Sequence, residues 1–254
     1  MSNENRIALL IDCDNASPAT VEGVLEELAN HGVVNIRHAH GDWNSNNLAG
    51  WIEKLHPNAV RPVQQFAYTS GKNATDAAMI IDAMDLLYSG VVDVFALMTS
   101  DSDFTPLVMR IRESGHPVHG FGEGKTPLPF VHACSQFIYT ENLRTDGCPE
   151  QGTGEPAVRK STRNELRGDT YLVRLLRTAV EQTSEDDGWA PLSNVGHFIS
   201  NNSSFSPLNY GYRKLGELIR ASELFATEMR KDGTAMYVRD ARRLRAETAA
   251  EARQ

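Results

Sequence analysis

The sequence predicts an α/β protein: a three-layer α/β/α sandwich around a parallel central sheet, followed by a small C-terminal winged-helix domain. Three observations predict it. Two stretches, IALLIDCDN at 7–15 and VDVFALMTSDSD at 92–103, begin as apolar runs of strand length and end in acids; such runs read as buried strands of a parallel sheet. Segments with helical spacing alternate with further strand candidates over short connections, the order that crossover helices impose. After a stretch rich in Gly, Pro and charge at 145–168, a second group of helices ends in two short strand candidates around Lys231-Asp232-Gly233, a hairpin signal.

The elements follow in order. Residues 6–12 form the first strand. Ser17-Pro18 reads as an N-cap and a first-turn proline, opening a helix that His31-Gly32 ends. A strand is expected over 33–40, a helix over 44–55 with Trp51, Ile52 and Leu55 on one face, and a strand over 60–66. A polar loop, 68–73, leads to the strongest helix, 75–88, with Thr75 as its cap. Its apolar stripe is Ala77, Ile80, Ile81, Met84, Leu87 and Tyr88, which leaves Asp82 and Asp85 pointing at solvent. A strand over 92–98, a helix over 104–113, a strand over 117–121, a helical turn over 130–134 and a strand over 137–139 complete the first domain, residues 1–144. A linker, 145–168, leads to the second domain, 169–240, with helices over 171–180, 191–199 and 210–221 and strands over 224–227 and 236–238. Residues 241–254 form a tail.

Charge and cysteine content narrow the function. The net charge is −8. Residues 1–145 hold 17 Asp and Glu against 9 Lys and Arg, so the whole excess lies there. Nucleic-acid binders are commonly basic, so a nucleic-acid partner would rest on a local basic rim and on acids neutralised by metal. Three widely spaced cysteines, Cys13, Cys134 and Cys148, with no CxxC, fit a reducing cytoplasm and argue against a disulfide framework or a zinc site. No apolar run is long enough to span a membrane, and the N-terminus lacks the layout of a signal peptide. The expected location is cytoplasmic. Oligomeric state stays open, a homodimer included.

The chemistry sits in acids. Asp12, Asp14, Asp101 and Asp103 follow two inferred parallel strands, and Asp76 lies in the first turn of the strongest helix. Carboxylates from separate elements are the hard ligands that Mg²⁺ or Mn²⁺ prefers, and such ions serve phosphodiester displacement. Each acid alone also has a structural role open to it: Asp14 and Asp103 as caps, Asp76 as a favourable charge at a helix start. Lys72 is suited to meet a phosphate as a point charge, although Gly71-Lys72 is no Walker loop. His38 and His40 alternate on one strand face; without further ligands they read as hydrogen-bonded or surface histidines. Cys13 lies between acids that raise its pKa.

IDCDN, the segment SGKNATDAAMIIDAMDLL, the segment ALMTSDSDFTPLVMRIRESGHPVHGFG and GDW at 41–43 together resemble the NYN family of PIN-like nucleases, which includes LabA-like bacterial proteins. The resemblance covers about residues 5–142. It implies a PIN-like sandwich and metal-dependent RNA cleavage, with Asp12, Asp76, Asp101 and Asp103 at the metal, Asn15 and Ser100 orienting ligands, and Lys72 at the transition state. SDSDF is one residue tighter than the family's S-G-D-x-D-F. Asp82 also falls where the family often carries an acid. Arg110 and Arg112 follow the signature as candidate RNA contacts. GWAPLSNVGHFI, FSPLNYGYRKLGELIRASELFAT and Tyr237-Val238 resemble the OST-HTH (LOTUS) domain, which implies RNA binding. Tyr210, Tyr212, Arg213 and Lys214 are the candidate contacts there, with core packing as the competing role for both tyrosines.

The leading expectation is therefore a metal-dependent endoribonuclease with a C-terminal RNA-binding module. A catalytically silent RNA-binding regulator is the alternative. An aspartyl-phosphate phosphatase would use Asp12-x-Asp14, but Ala16 stands where that motif has Thr or Val.

Overall fold

The structure, a computed structural model, describes residues 4–65, 74–143, 159–230 and 233–243. The chain divides into two compact units, residues 1–156 and 157–254.

In the first unit, β1 (Arg6–Asp12), β2 (Val33–Gly41), β3 (Arg61–Gln64), β4 (Val94–Met98), β5 (Val118–Gly122) and β6 (Gln136–Tyr139) form one sheet in the order β3-β2-β1-β4-β5-β6. All five pairings are parallel. The helices are α1 (Val21–Leu28), α2 (Ala49–Leu55), α3 (Ala74–Ser89), α4 (Thr105–Glu113) and α5 (Leu128–Ala133). β1 lies inside the sheet, and everything after Arg6 in it is buried. This is why its sequence is continuously apolar rather than alternating. Ala8 and Leu10 join Met79, Ala83 and Leu87 of α3, Leu107, Val108 and Ile111 of α4, and Phe130 of α5 in one core. Alternation leaves Ile7, Leu9 and Ile11, also fully buried, for the opposite face. Right-handed crossovers carry α1 and α2 there. The strand order reverses between β1 and β4, so a switch point opens at the C-terminal ends of these two strands, where ligands of such sheets bind.

Several expectations need correction. α3 turns a different face to the sheet than its apolar stripe suggested. Met79, Ala83 and Leu87 are buried, whereas Ile81 is 62% and Tyr88 73% exposed. The helix is apolar on two sides, so periodicity could not choose between them; the polar partners described below did. Thr75 lies inside α3 and is not its cap. The loop 68–73, with Lys72, lies outside the described residues. In α2 Trp51 is buried but Ile52 is exposed. Ser17 makes no side-chain cap bond, and a short 3-10 turn, Pro18–Thr20, precedes α1.

The second unit contains α6 (Arg163–Gly168), α7 (Thr170–Thr183), β7 (Ala190–Pro191), α8 (Leu192–Asn202), α9 (Leu215–Ser222), β8 (Phe225–Arg230) and β9 (Ala235–Asp240). Its sheet has the order β7-β9-β8 and is antiparallel, so the wing gains a short third strand beside the expected pair. The end of the expected linker is ordered structure. Thr162 and Glu165 form a reciprocal capping box at the start of α6, and Leu166 is fully buried. A single buried leucine among charged residues left too little apolar pattern to read. The helix expected over 210–221 is broken. Gly211 adopts φ +80°, and a side chain there would meet the Arg159 carbonyl at 2.6 Å. A 3-10 turn, Pro207–Tyr210, therefore stops before α9 begins. No helix among the described residues is long and apolar enough to cross a membrane.

Candidate active site

Asp12 closes β1 at the switch point with no solvent exposure. Its Oδ2 accepts hydrogen bonds from Thr99 Oγ1 at 2.7 Å and from Asn15 Nδ2 at 3.0 Å. Its Oδ1 accepts one from the Asp14 backbone N–H at 3.1 Å. A carboxylate offers about four lone-pair directions, so one direction on Oδ1 remains for a further partner. Burial raises the Asp12 carboxyl, and these three donors partly offset that rise.

Thr99 was not anticipated from the sequence. Its buried hydroxyl donates to Asp12 and accepts the backbone N–H of Asp101 at 3.1 Å. One hydroxyl thus ties the end of β1 to the loop after β4. The available signal was a threonine just past an apolar strand and two residues before an acid. Asp101 caps the 3-10 turn Ser102–Phe104, accepting from the Asp103 N–H at 2.8 Å. That is the structural role that competes with ligation, and it occupies one oxygen only. Asp103 is exposed. Ser100 Oγ accepts the Glu123 N–H at 2.9 Å and so anchors the loop after β5. Asn15 meets Asp12 as expected.

Asp76, half-buried in the first turn of α3, completes the group. Its carboxyl is pushed up to about 6, first by burial and then by the charges of Asp12, Asp101, Asp103 and Asp14. Four carboxylates from two strand ends thus press on a fifth carried by a helix. Asp76→Asn is accordingly expected to stabilise the metal-free protein. Between an ordinary Asp pKa of about 4 and the folded value of about 6, the native state binds more protons than the unfolded state, so wild-type stability falls as pH rises through that window. At pH 7 the substitution should gain about 1 kcal/mol, a figure discounted for partial exposure, and at pH 4 nothing. Thermal melts in EDTA at both pH values check this; a lower Tm for the variant at pH 7 would contradict it.

Among the described residues, no three acidic, histidine or cysteine side chains stand together as a ready-made metal cage. The donor set is nevertheless all carboxylate, and its mutual repulsion is of the kind a divalent cation relieves. Mg²⁺ in particular is held through one or two carboxylates and several waters rather than by a protein cage. Cys13 is buried, and burial with the two flanking acids holds its thiol far above the ordinary range.

Asp82, expected in solvent, faces β2 instead. Its Oδ2 lies 2.7 Å from His38 Nδ1 and 3.0 Å from His40 Nε2. Burial alone would raise Asp82, but the two histidine hydrogen bonds outweigh it and hold the carboxyl well below the usual range. An ionised carboxylate only accepts, so both facing ring nitrogens carry protons. His40 is register-paired with Asp12, and this cluster fastens the helix that carries Asp76 onto the strand beside Asp12.

The other predicted contacts separate. Arg110 and Arg112 lie in the last turn of α4, at the opposite end from Asp101. Arg110 bonds Ser114 and Tyr88, and Arg112 bonds the Ala133 carbonyl at 2.7 Å. These bonds use part of each guanidinium. In the second unit Tyr212 is buried and donates to the Ser161 carbonyl at 2.8 Å, while Tyr210 donates to Asp169 Oδ2 at 2.8 Å. The tyrosines pin the segment before α6 and the start of α7, which is the core role. Arg213 and Lys214 are exposed. Lys72 lies outside the described residues.

Residues 6–142 match the NYN domain and residues 168–237 the OST-HTH/LOTUS domain. No curated protein matches significantly. A crystal structure of a protein of unknown function from Vibrio parahaemolyticus is similar at 17% identity and a TM-score of 0.46, covering 55% of this chain and 94% of that one. The NYN match spans more than half of the chain, and the six-stranded parallel sheet with its flanking helices is the PIN-like α/β/α arrangement; the chain belongs to the NYN family of PIN-like nucleases, joined to an OST-HTH/LOTUS domain of a kind that implies RNA binding.

Proposed function

We propose that the protein is a metal-dependent endoribonuclease that hydrolyses RNA phosphodiesters in its NYN unit and holds RNA with its OST-HTH unit. The observation that carries this reading is the carboxylate group around Asp76, whose acid is raised to about 6 by burial and by four neighbours from two strand ends. Asp12, Asp76 and Asp101, with Asp103, would hold Mg²⁺ or Mn²⁺. When bound, such an ion lowers the pKa of a coordinated water and stabilises charge on the scissile phosphate. Thr99 and Asn15 fix the orientation of Asp12, and Thr99 also sets the position of Asp101. Ser100 holds the loop after β5 against the site. Lys72 supplies a positive charge toward the phosphate.

The test is cleavage of a single-stranded RNA oligonucleotide by the full chain with Mg²⁺ or Mn²⁺ and with EDTA, wild type against Asp101→Asn. Asparagine keeps the oxygen that caps the 3-10 turn, so the fold should survive. Activity is expected only with the divalent ion and is expected to fall by about 10²-fold in the variant, at the upper end of what metal-site supporting groups contribute. Cleavage of equal rate in EDTA, or in the variant, overturns the site. Tight RNA binding without cleavage under either ion points instead to the silent regulator.

A further inference from the structure

Tyr212 is buried and Tyr210 is half-buried and bonded to Asp169, while Arg213 and Lys214 stay exposed. Another part of the unit gathers arginines around a concavity. A cavity of about 300 Å³ is lined by Arg167 of α6, Val173 and Arg177 of α7, Glu223 and Leu224 after α9, and Ala241 and Arg242 after β9. Three arginines from three separate stretches of chain therefore line one concavity together with apolar residues.

The local charge is positive. Around the cavity, Arg163, Arg167, Arg177 and Arg242 stand against Glu223 and Asp240. Residues 146–254 as a whole are balanced, with 16 Lys and Arg against 16 Asp and Glu, so this excess is a local feature. The two acids are already committed. Glu223 pairs with Arg163 at 3.0 Å, and its carbonyl accepts from Arg167 Nη2 at 3.1 Å. These contacts support Glu223 in the left-handed conformation, φ 48°, that turns the chain into the cavity wall. Asp240 faces Arg177 Nε at 3.1 Å, out of line for a hydrogen bond, and caps the Arg242 N–H at 2.9 Å. Arg177 is mostly covered, with 22% of its side chain exposed, so its charge is screened less than that of a surface arginine. The guanidinium of Arg242 has no carboxylate partner among the described residues.

We propose that this cavity is the RNA-phosphate site of the OST-HTH unit: Arg167, Arg177 and Arg242 hold backbone phosphate, and Val173, Leu224 and Ala241 back the attached sugar or base. The proposal rests on the reading of this unit as the one that holds RNA. Guanidinium forks match phosphate oxygens in pairs. The volume lies at the lower end for small-ligand pockets and suits one nucleotide of a chain. An acidic protein segment is the competing occupant, and the test includes it.

The experiment is fluorescence anisotropy of a 12-nucleotide single-stranded RNA with the full chain in EDTA, which keeps binding separate from cleavage, across a series of KCl concentrations. The double variant Arg167→Ala/Arg242→Ala is expected to bind at least about tenfold more weakly at 0.1 M salt. Its log K against log salt slope should fall by about 0.7, the value for one phosphate of a single strand that is no longer neutralised. Arg177→Lys keeps the charge opposite Asp240 and guards against misfolding; it is expected to lose about threefold to tenfold through loss of the fork. Unchanged affinity and slope in both variants, with loss in Arg213→Ala/Lys214→Ala instead, overturns the cavity assignment and leaves RNA binding standing. Wild-type protein that fails to bind RNA overturns both. A ten-residue polyglutamate peptide that binds wild type as tightly as the RNA, and is lost in the double variant, assigns the cavity to an acidic protein segment and overturns the RNA assignment.

Discussion

Asp12→Asn is expected to leave the NYN unit folded and to lower RNA cleavage by more than about 10²-fold, beyond what loss of a supporting group alone does at a metal site. The side chain is isosteric, and its remaining oxygen can still accept from Thr99 and Asn15, which share Oδ2 in the wild type. Its new amide then meets the Asp14 N–H, donor against donor, where Oδ1 accepted before. That mismatch costs about 1 kcal/mol of stability, well short of unfolding a domain of this size. The charge removed is the one a cation would need. Thr99→Val sharpens the same experiment without touching an acid. It frees Asp12 Oδ2 of one donor and strips the Asp101 N–H of its acceptor. Cleavage is expected to fall by about 10- to 100-fold, and raising the Mn²⁺ concentration should recover part of it, because the ligands remain while their orientation is lost. Wild-type rates for Thr99→Val at low metal would remove Thr99 from the site.

The second large effect is on stability. Asp82→Ala is expected to destabilise the NYN unit by about 2–4 kcal/mol, since it leaves the protons of two covered imidazoles without acceptors, each worth roughly 1–3 kcal/mol. His40 is fully buried, and its Nδ1 already lacks a partner among the described residues, so it has little means of compensating. The pH dependence has a definite sign. Asp82 is depressed by its histidine hydrogen bonds in the folded state, so its contribution is complete above the unfolded Asp value of about 4 and is lost as pH falls toward the lower folded value. The gap in denaturation midpoint between wild type and variant should be full at pH 7 and shrink below about pH 4. Urea unfolding followed by tryptophan fluorescence measures it, and a gap that widens on acidification would refute the assignment. The two acids of α3 therefore behave oppositely: neutralising Asp76 stabilises the metal-free protein, and removing Asp82 destabilises it. Strain at the site is held by an anchor less than two turns away on the same helix.

Much of this was legible in the residues. β1 and β4 could be read because a strand buried on both faces is apolar throughout, and acids just past such strands mark the ligand edge of a parallel sheet. Asp12 and Asp101 were read for the same reason, Asp76 from its place in the first turn of the strongest helix, and Asn15 from the family resemblance. The face of α3 was not. Ala77, Ile80, Ile81, Met84 and Tyr88 make as regular a stripe as the buried Met79, Ala83 and Leu87, and the choice was made by His38 and His40, 44 and 42 residues away from Asp82. Tyr212 had two roles open, an RNA contact by resemblance and core packing, and its residue type carries no mark of whether its hydroxyl will find a carbonyl inside, as it does at Ser161.

The amino-acid sequence by itself determined the class of fold, the order of strands and helices, and the acids available at the sheet edge, because periodicity and residue type are local properties of the chain. Only the tertiary structure decided which of those groups are held and which are spent. Thr99 reaches Asp12 across 87 residues, Arg112 is bonded to the Ala133 carbonyl, and Arg167, Arg177 and Arg242 line one cavity from separate stretches of their unit. Hydrogen bonds and ion pairs join partners that the chain spacing does not relate, so the pattern of a segment shows that a side chain is available, and the fold selects its partner.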